Sequence, residues 1–282
     1  MKAVFVPTLV VVATLLSSGA SPVCTASCLI QESEKQESQE TKPSSKEEAL
    51  KSFEAKTYQS GEDELNYRFL EPKSVVEGEV YPLVIFLHGA GERGDDNVAQ
   101  LKHGAREFLT ETNREKYPCF LIAPQCPKGI AWANIDRTQS KPKLEAEPST
   151  PLSMVMEVAE QVIEKYPVDK SRIYITGLSM GGYGTFDAIE RYPKRFAAAL
   201  PICGGGDSSQ EKVAAIKELP IWIFHGGADN VVPTARSREM VEALKEAGGE
   251  PKYTEYPGVG HDSWTETYKN PDVLAWLFQQ AK

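Results

Sequence analysis

Ser179 stands in the run Ile173-Tyr-Ile-Thr-Gly177-Leu-Ser-Met-Gly181-Gly-Tyr-Gly184. Gly-x-Ser-x-Gly directly after a short apolar, β-branched run, with a helical pattern following, puts the serine on a tight strand-to-helix turn. Glycines on either side remove Cβ atoms that would clash as the chain doubles back. The hydroxyl is lifted clear of the sheet, and the N–H of Met180, at the helix start, points at whatever that hydroxyl attacks. The chemistry implied is nucleophilic. A serine hydroxyl attacks poorly at neutral pH unless a base lies within hydrogen-bond reach and a carboxylate orients that base.

The chain has four histidines. His88 and His225 each close an apolar run and precede glycine, and His103 lies in a polar, helix-like stretch. His261 sits in Gly258-Val259-Gly260-His261-Asp262-Ser263-Trp264, a glycine-flanked loop that lets an imidazole hang over a sheet edge. His261 is therefore read as the base. The orienting acid should follow a strand and fall between serine and histidine in chain order. Asp229 does so, in His225-Gly-Gly-Ala-Asp229 after Ile221–Phe224; Asp207, in Gly204-Gly-Gly-Asp207, is the rival.

The negative charge of a tetrahedral intermediate needs two preorganised N–H donors. Met180 is expected to supply one, and Ala90 the other, from the turn His88-Gly-Ala-Gly-Glu-Arg-Gly94, with Gly91 next in line. Such a turn can also cradle phosphate, but no Lys-Ser/Thr pair follows it and no dinucleotide fingerprint is present. Trp132 and Trp264 are expected to border the substrate cleft together with Gly91. This chemistry calls for no metal and no organic cofactor.

The elements that must position these residues are legible as apolar periodicity. Continuous runs at Leu83–Leu87, Cys119–Ala123, Ile173–Thr176, Phe196–Ile202, Ile221–Phe224 and, more weakly, Tyr253–Tyr256 mark strands covered on both faces. Alternation at Tyr58, Leu65, Tyr67 and Phe69 marks an edge hairpin. Helical spacing appears over Leu152–Tyr166, Met180–Arg191, the stretch after a Thr234 cap, and the stretch opened by Asn270-Pro271. Strands alternating with helices predict an α/β fold: a mostly parallel central sheet with helices on both faces. Between Cys126 and Pro151 the chain is proline-rich and aperiodic. It is a long excursion on the side where substrate sites are built.

The 282 residues carry a formal charge of −9, with 41% hydrophobic residues. No basic stripe is present, which argues against nucleic acid as a partner. Lys2, the apolar Ala3–Leu16 and Ser18-Gly-Ala20 read as a signal peptide over 1–20, too short for a membrane span, so the expected location is secreted or periplasmic. Residues 21–56, rich in Ser, Glu, Gln and Lys, read as a disordered tether, and 57–282 as the catalytic domain. Of five cysteines, Cys119 reads as core, a Cys126–Cys203 bridge is left open, and a lipid anchor on Cys24 or Cys28 is not favoured.

Taken together, His88–Gly94, Gly177–Gly184, Pro201–Asp207, His225–Asp229 and Tyr256–His261 resemble motifs of the α/β-hydrolase superfamily. They are similar to those of the bacterial phospholipase/carboxylesterase group, some members of which carry a predicted-peptidase label. Exported members of similar type include feruloyl and acetyl-xylan esterases. The resemblance covers about Thr57–Lys282. It implies Ser179 as nucleophile, Asp229 as acid and His261 as base, acting on a small-molecule or polysaccharide-linked ester. The alternatives weighed are a serine peptidase with the same triad and a non-catalytic binding module.

Overall fold

The apolar runs become neighbouring strands of one eight-stranded sheet in the computed structural model, which describes Glu47, residues 51–136 and residues 141–282. The strands are β1 (Glu54–Ser60), β2 (Asp63–Leu70), β3 (Tyr81–Leu87), β4 (Phe120–Pro124), β7 (Val168–Leu178), β8 (Ala198–Ile202), β9 (Trp222–Gly226) and β10 (Lys252–Tyr256). Their order is β1-β2-β4-β3-β7-β8-β9-β10. β1 pairs antiparallel with β2, and β2 with β4; every pairing from β4 onward is parallel. All seven residues of β3 and all five of β4 and β8 are buried, because helices cover both faces.

One face packs on Leu152, Val155, Val158 and Val162 of the helix Thr150–Lys165, on Phe186 and Ile189 of the helix Met180–Arg191, and on Met240 and Leu244 of the helix Ala235–Glu246. The other packs on Phe53, Phe108, Tyr268, Val273, Leu274 and Leu277. β1 begins at Glu54, ahead of the domain start expected at Thr57, and Phe53 before it is fully buried. An alternation signal cannot reveal that lone anchor. The expected signal peptide and all but the last residues of the expected tether lie outside the described residues. Among the described residues no helix is long and apolar enough to cross a membrane.

Thr234 does not cap as the sequence suggests. Its backbone is already helical (φ −53°, ψ −27°), and its hydroxyl donates to Gly226 O at 2.9 Å; a side-chain cap needs an extended residue. Asn270 does cap, accepting from Asp272 N at 3.0 Å ahead of Pro271. Cys119, Cys126 and Cys203 are buried free thiols, so no Cys126–Cys203 bridge forms, and burial pushes each up to about 12.

The excursion after β4 folds back over the helix Met180–Arg191 and contains a small antiparallel pair, β5 (Ile135–Asp136) and β6 (Lys143–Leu144). With no apolar period of its own, it is fastened by side chains. Asp187 accepts from Asn134 N at 2.8 Å and Asp207 from Leu144 N at 3.1 Å, while Arg191 donates to Glu145 O and Ala146 O. Glu190 lies between the two aspartates and accepts from Asp207 N. Burial pushes its carboxyl well above the usual carboxylate range. Asp207 is thereby committed to the excursion, away from Ser179.

Candidate active site

β7 runs straight into Ser179, whose φ of 54° and ψ of −114° are strained for any residue with a Cβ. Two glycines make the turn possible. A Cβ on Gly181 would stand 1.9 Å from Leu87 O, and one on Gly177 2.4 Å from Gly181 O. The nucleophile helix is thus seated on the end of β3 with no room for a methyl group. Ser179 N donates to Ile202 O at 2.9 Å, tying the turn to β8.

His261 Nε2 lies 2.9 Å from Ser179 Oγ, and His261 Nδ1 lies 2.7 Å from Asp229 Oδ2. Asp229 Oδ1 accepts from the N–H groups of Val231 (2.8 Å) and Val232 (3.0 Å). Its side chain is fully solvent-excluded, against 19% exposure for His261. Burial pushes this carboxyl up, but the His261 and backbone hydrogen bonds outweigh it, and the net shift is downward, so Asp229 stays ionised. The loops of the acid and the base are interlocked: Ala228 N donates to Val259 O at 2.8 Å, and a Cβ on Gly226 would meet Gly260 O at 2.0 Å.

A second imidazole backs the acid. His225 Nε2 faces only acceptors, Val232 O at 3.0 Å and Asp229 Oδ2 at 3.2 Å, so that nitrogen carries a proton. Its Nδ1 meets Ser237 Oγ at 2.7 Å. Burial lowers the His225 pKa, so His225 is a neutral donor to Asp229 and not its salt-bridge partner. Cys203 Sγ also falls within 4.8 Å of the nearest Asp229 and His261 atoms. Its thiol is buried and held up at about 12.

Ser179 opens into a cleft of about 360 Å³ lined by Ala90, Met180, Tyr183 and Arg93, by Ala131, Ala133 and Ile135 of the excursion, and by Val231 and Val232. A larger groove of about 420 Å³ around Tyr81, Tyr117, Arg172 and Phe278 lies at the opposite ends of the strands and holds no nucleophile. Met180, at the first helical position, has an N–H with no acceptor within its helix. Ala90 begins the one-turn helix Ala90–Glu92, after the extended Gly89.

Three expected cleft residues are elsewhere. Trp132 is fully buried and donates Nε1–H to His88 O at 3.0 Å, because its side chain fills the space beside Gly184, where an added Cβ would lie 2.5 Å from Trp132 Cβ. Trp264 stands edge-on to His261 (centroids 5.2 Å apart, 90°), bracing the base from outside the cleft lining. Gly91 faces solvent and is outside the lining too. Sequence reasoning missed the alternating Ala131, Ala133 and Ile135, whose period-two signal is too short to notice, and the exposed Val231 beside the acid.

His88 holds the donor turn in place. Its Nε2 accepts from Cys126 N at 2.9 Å, so its proton is on Nδ1, which donates to Gly89 O at 2.6 Å. Burial lowers its pKa from 6.5 to about 4. Between those values the unfolded chain binds a proton that the folded one refuses. This contribution is complete above pH 6.5 and is lost as pH falls toward 4, by about 3 kcal/mol. Other groups titrate in the same range, so the test is a difference between wild type and a variant. His88→Gln keeps an acceptor without the titration. The melting-temperature gap between wild type and His88→Gln should shrink from pH 7 to pH 4; a constant gap would contradict the assignment.

A parallel sheet flanked by helices, with a serine on the turn after its fifth described long strand and an imidazole and carboxylate on the loops that follow, defines an α/β-hydrolase. The phospholipase/carboxylesterase family model matches residues 73–270, and the chain belongs to that family. It is 28% identical over 216 residues to a probable carboxylesterase of Oryza sativa subsp. japonica, covering 71% of this chain and 77% of that one. It is 32% identical over 151 residues to a bifunctional acetylxylan esterase/xylanase of Neocallimastix patriciarum, covering 54% of this chain but 20% of that protein. Among solved structures, a thermostable esterase superposes with a TM-score of 0.77 at 44% identity, covering 83% of this chain and 64% of its own. A ferulic acid esterase shares the fold at 17% identity, TM-score 0.60.

Proposed function

We propose that this protein is a serine hydrolase that cleaves carboxylic esters through an acyl-enzyme. The observation that carries the reading is the unbroken chain Ser179 Oγ, His261 Nε2, His261 Nδ1, Asp229 Oδ2, with contacts of 2.9 and 2.7 Å. His261 takes the Ser179 proton as Oγ bonds to the ester carbonyl carbon. Negative charge collects on the carbonyl oxygen, beside the N–H groups of Met180 and Ala90. The carbon–alkoxide bond breaks, and His261 returns the proton to the leaving alcohol. Water then loses a proton to His261, attacks the acyl carbon and releases the acid, restoring Ser179. Asp229 holds the imidazole with Nδ1 protonated and faces the positive charge it gains. Short acyl esters of carbohydrates are the class proposed for first screening, on the likeness to the acetylxylan esterase. Export through residues 1–20 is part of the same proposal.

The test is turnover of 4-nitrophenyl acetate against 4-nitroacetanilide, with fluorophosphonate labelling followed by mass spectrometry. Ester cleavage should exceed amide cleavage by about 10³-fold or more, since the poorer amine leaving group raises the barrier by several kcal/mol. The label should sit on Ser179. Absence of both turnover and label would overturn the reading.

A further inference from the structure

The ester-hydrolase reading leaves one feature of the cleft unused. Among the described lining residues, Arg93 is the only charged one; Ser179 and Tyr183 add hydroxyls, and Ala131, Ala133, Ile135, Val231 and Val232 supply the apolar surface. Five arginines elsewhere in this acidic protein, Arg172, Arg191, Arg195, Arg236 and Arg238, pair with carboxylates. Arg93 has no carboxylate partner among the described residues, although Glu92, Asp95 and Asp96 are its near neighbours in sequence. Its two hydrogen bonds go to backbone carbonyls of two separate segments: Nε donates to Ala90 O at 3.0 Å and Nη1 to Ile130 O at 3.2 Å.

Those bonds do two things. They fix a flexible side chain, so its ordering does not have to be repeated when substrate binds. They also leave the guanidinium short of a counter-charge. Nε–H and one Nη1–H are spent on carbonyls, while the second Nη1–H and both Nη2–H groups form no bond to the described residues. A planar fork of free N–H groups on a fixed cation matches a carboxylate. Its position follows from the same contacts. The guanidinium is one hydrogen bond from the carbonyl of Ala90, the residue whose N–H is proposed to hold the oxyanion.

We infer that Arg93 is a specificity-determining residue, and that the enzyme prefers esters whose acyl or alcohol part carries a carboxylate a few bonds from the scissile carbonyl. The rest of such a molecule lies against the apolar side chains of Ala131, Ala133, Ile135 and Val231, the last of which is 64% exposed. The inference rests on the ester-hydrolase reading. It also assigns a use to a positive group in a chain of charge −9, whose overall field otherwise disfavours anionic substrates.

The test compares substrates that differ only in the charge. On the acyl side the pair is mono-4-nitrophenyl glutarate and 4-nitrophenyl pentanoate. On the alcohol side it is 4-acetoxybenzoate and its methyl ester. Uncatalysed release is subtracted for all four. For one pair or both, wild-type kcat/KM should favour the anionic member by about ten- to a hundredfold, the range for a charge-assisted hydrogen bond. Arg93→Met should abolish that ratio, and Arg93→Lys should keep part of it. Arg93 also braces Ala90 and Ile130, so the absolute rates of Arg93→Met will fall, and the ratio is the readout. If Arg93→Met does not fold, wild type alone decides: rising NaCl should erode turnover of the anionic ester and spare the neutral one. Equal kcat/KM for both members of both pairs, or a preference that survives in Arg93→Met, overturns the inference and leaves ester hydrolysis standing. Failure to cleave any of the four would instead remove the ester-hydrolase reading itself.

Discussion

Replacing Ser179 with Ala should lower kcat for a short-chain aryl ester by about 10⁴–10⁶-fold and leave the fold unchanged. The size follows from how the reaction is divided. Without Oγ there is no acyl-enzyme, and only direct attack by water remains, helped by whatever the two N–H donors still contribute. Stability should barely move, because Ala and Ser both carry a Cβ, and the strained φ of 54° is unrelieved by either. His261→Ala should cost about as much, since serine and histidine act as one unit. The double variant should be hardly worse than either single one. Steady-state kinetics, fluorophosphonate labelling and a thermal melt decide the matter together. Turnover of Ser179→Ala within tenfold of wild type would remove this serine from the mechanism.

Gly181→Ala should destabilise the protein by about 3 kcal/mol or more, where the same change in an exposed helix would stabilise it by roughly 1 kcal/mol. The sign is reversed by the neighbours of the new methyl group. It would lie 1.9 Å from Leu87 O and 2.5 Å from Leu87 C, and both are backbone atoms of the central strand. Neither can rotate away, so the helix Met180–Arg191 must lift from β3. That movement also displaces Met180 N–H from the oxyanion, so kcat should fall by at least about 10²-fold in whatever fraction folds. A melt should show a drop of about 10 °C, taking 2–4 °C per kcal/mol for a domain of this size. Gly91→Ala is the control. Its Cβ meets nothing within 4 Å, and its melting temperature should be unchanged. A wild-type melting temperature and rate in Gly181→Ala would contradict the packing described.

Much of this arrangement is legible in the chain because its causes are local. The runs at Leu83–Leu87 and Ile173–Thr176 are apolar without alternation because helices cover both faces of β3 and β7. The glycines around Ser179 announce a turn that only small residues can make. The reading failed where the decisive neighbour is remote in sequence. Trp132 reads as a cleft residue, as a tryptophan in a proline-rich loop can be, but its indole N–H reaches the carbonyl of His88 and its ring is buried in the core. Trp264 follows the base by three positions and stands edge-on to its ring. Thr234 has the right residue type for a cap, but its hydroxyl is drawn to Gly226 O by the packing of the acid loop.

By itself the sequence determined the alternation of strands and helices, the strand-to-helix turn at Ser179, and a short set of candidate partners for that hydroxyl. These follow from side-chain period and backbone freedom within a few residues. Why Asp207 is spent on the excursion while Asp229 orients His261, that Trp132 belongs to the core, and which residues wall the cleft were decided only by the tertiary structure. Hydrogen bonds such as His261 to Ser179 join groups 82 positions apart. The order in which a parallel sheet sets its strands side by side, and not any spacing along the chain, brings such groups to one edge.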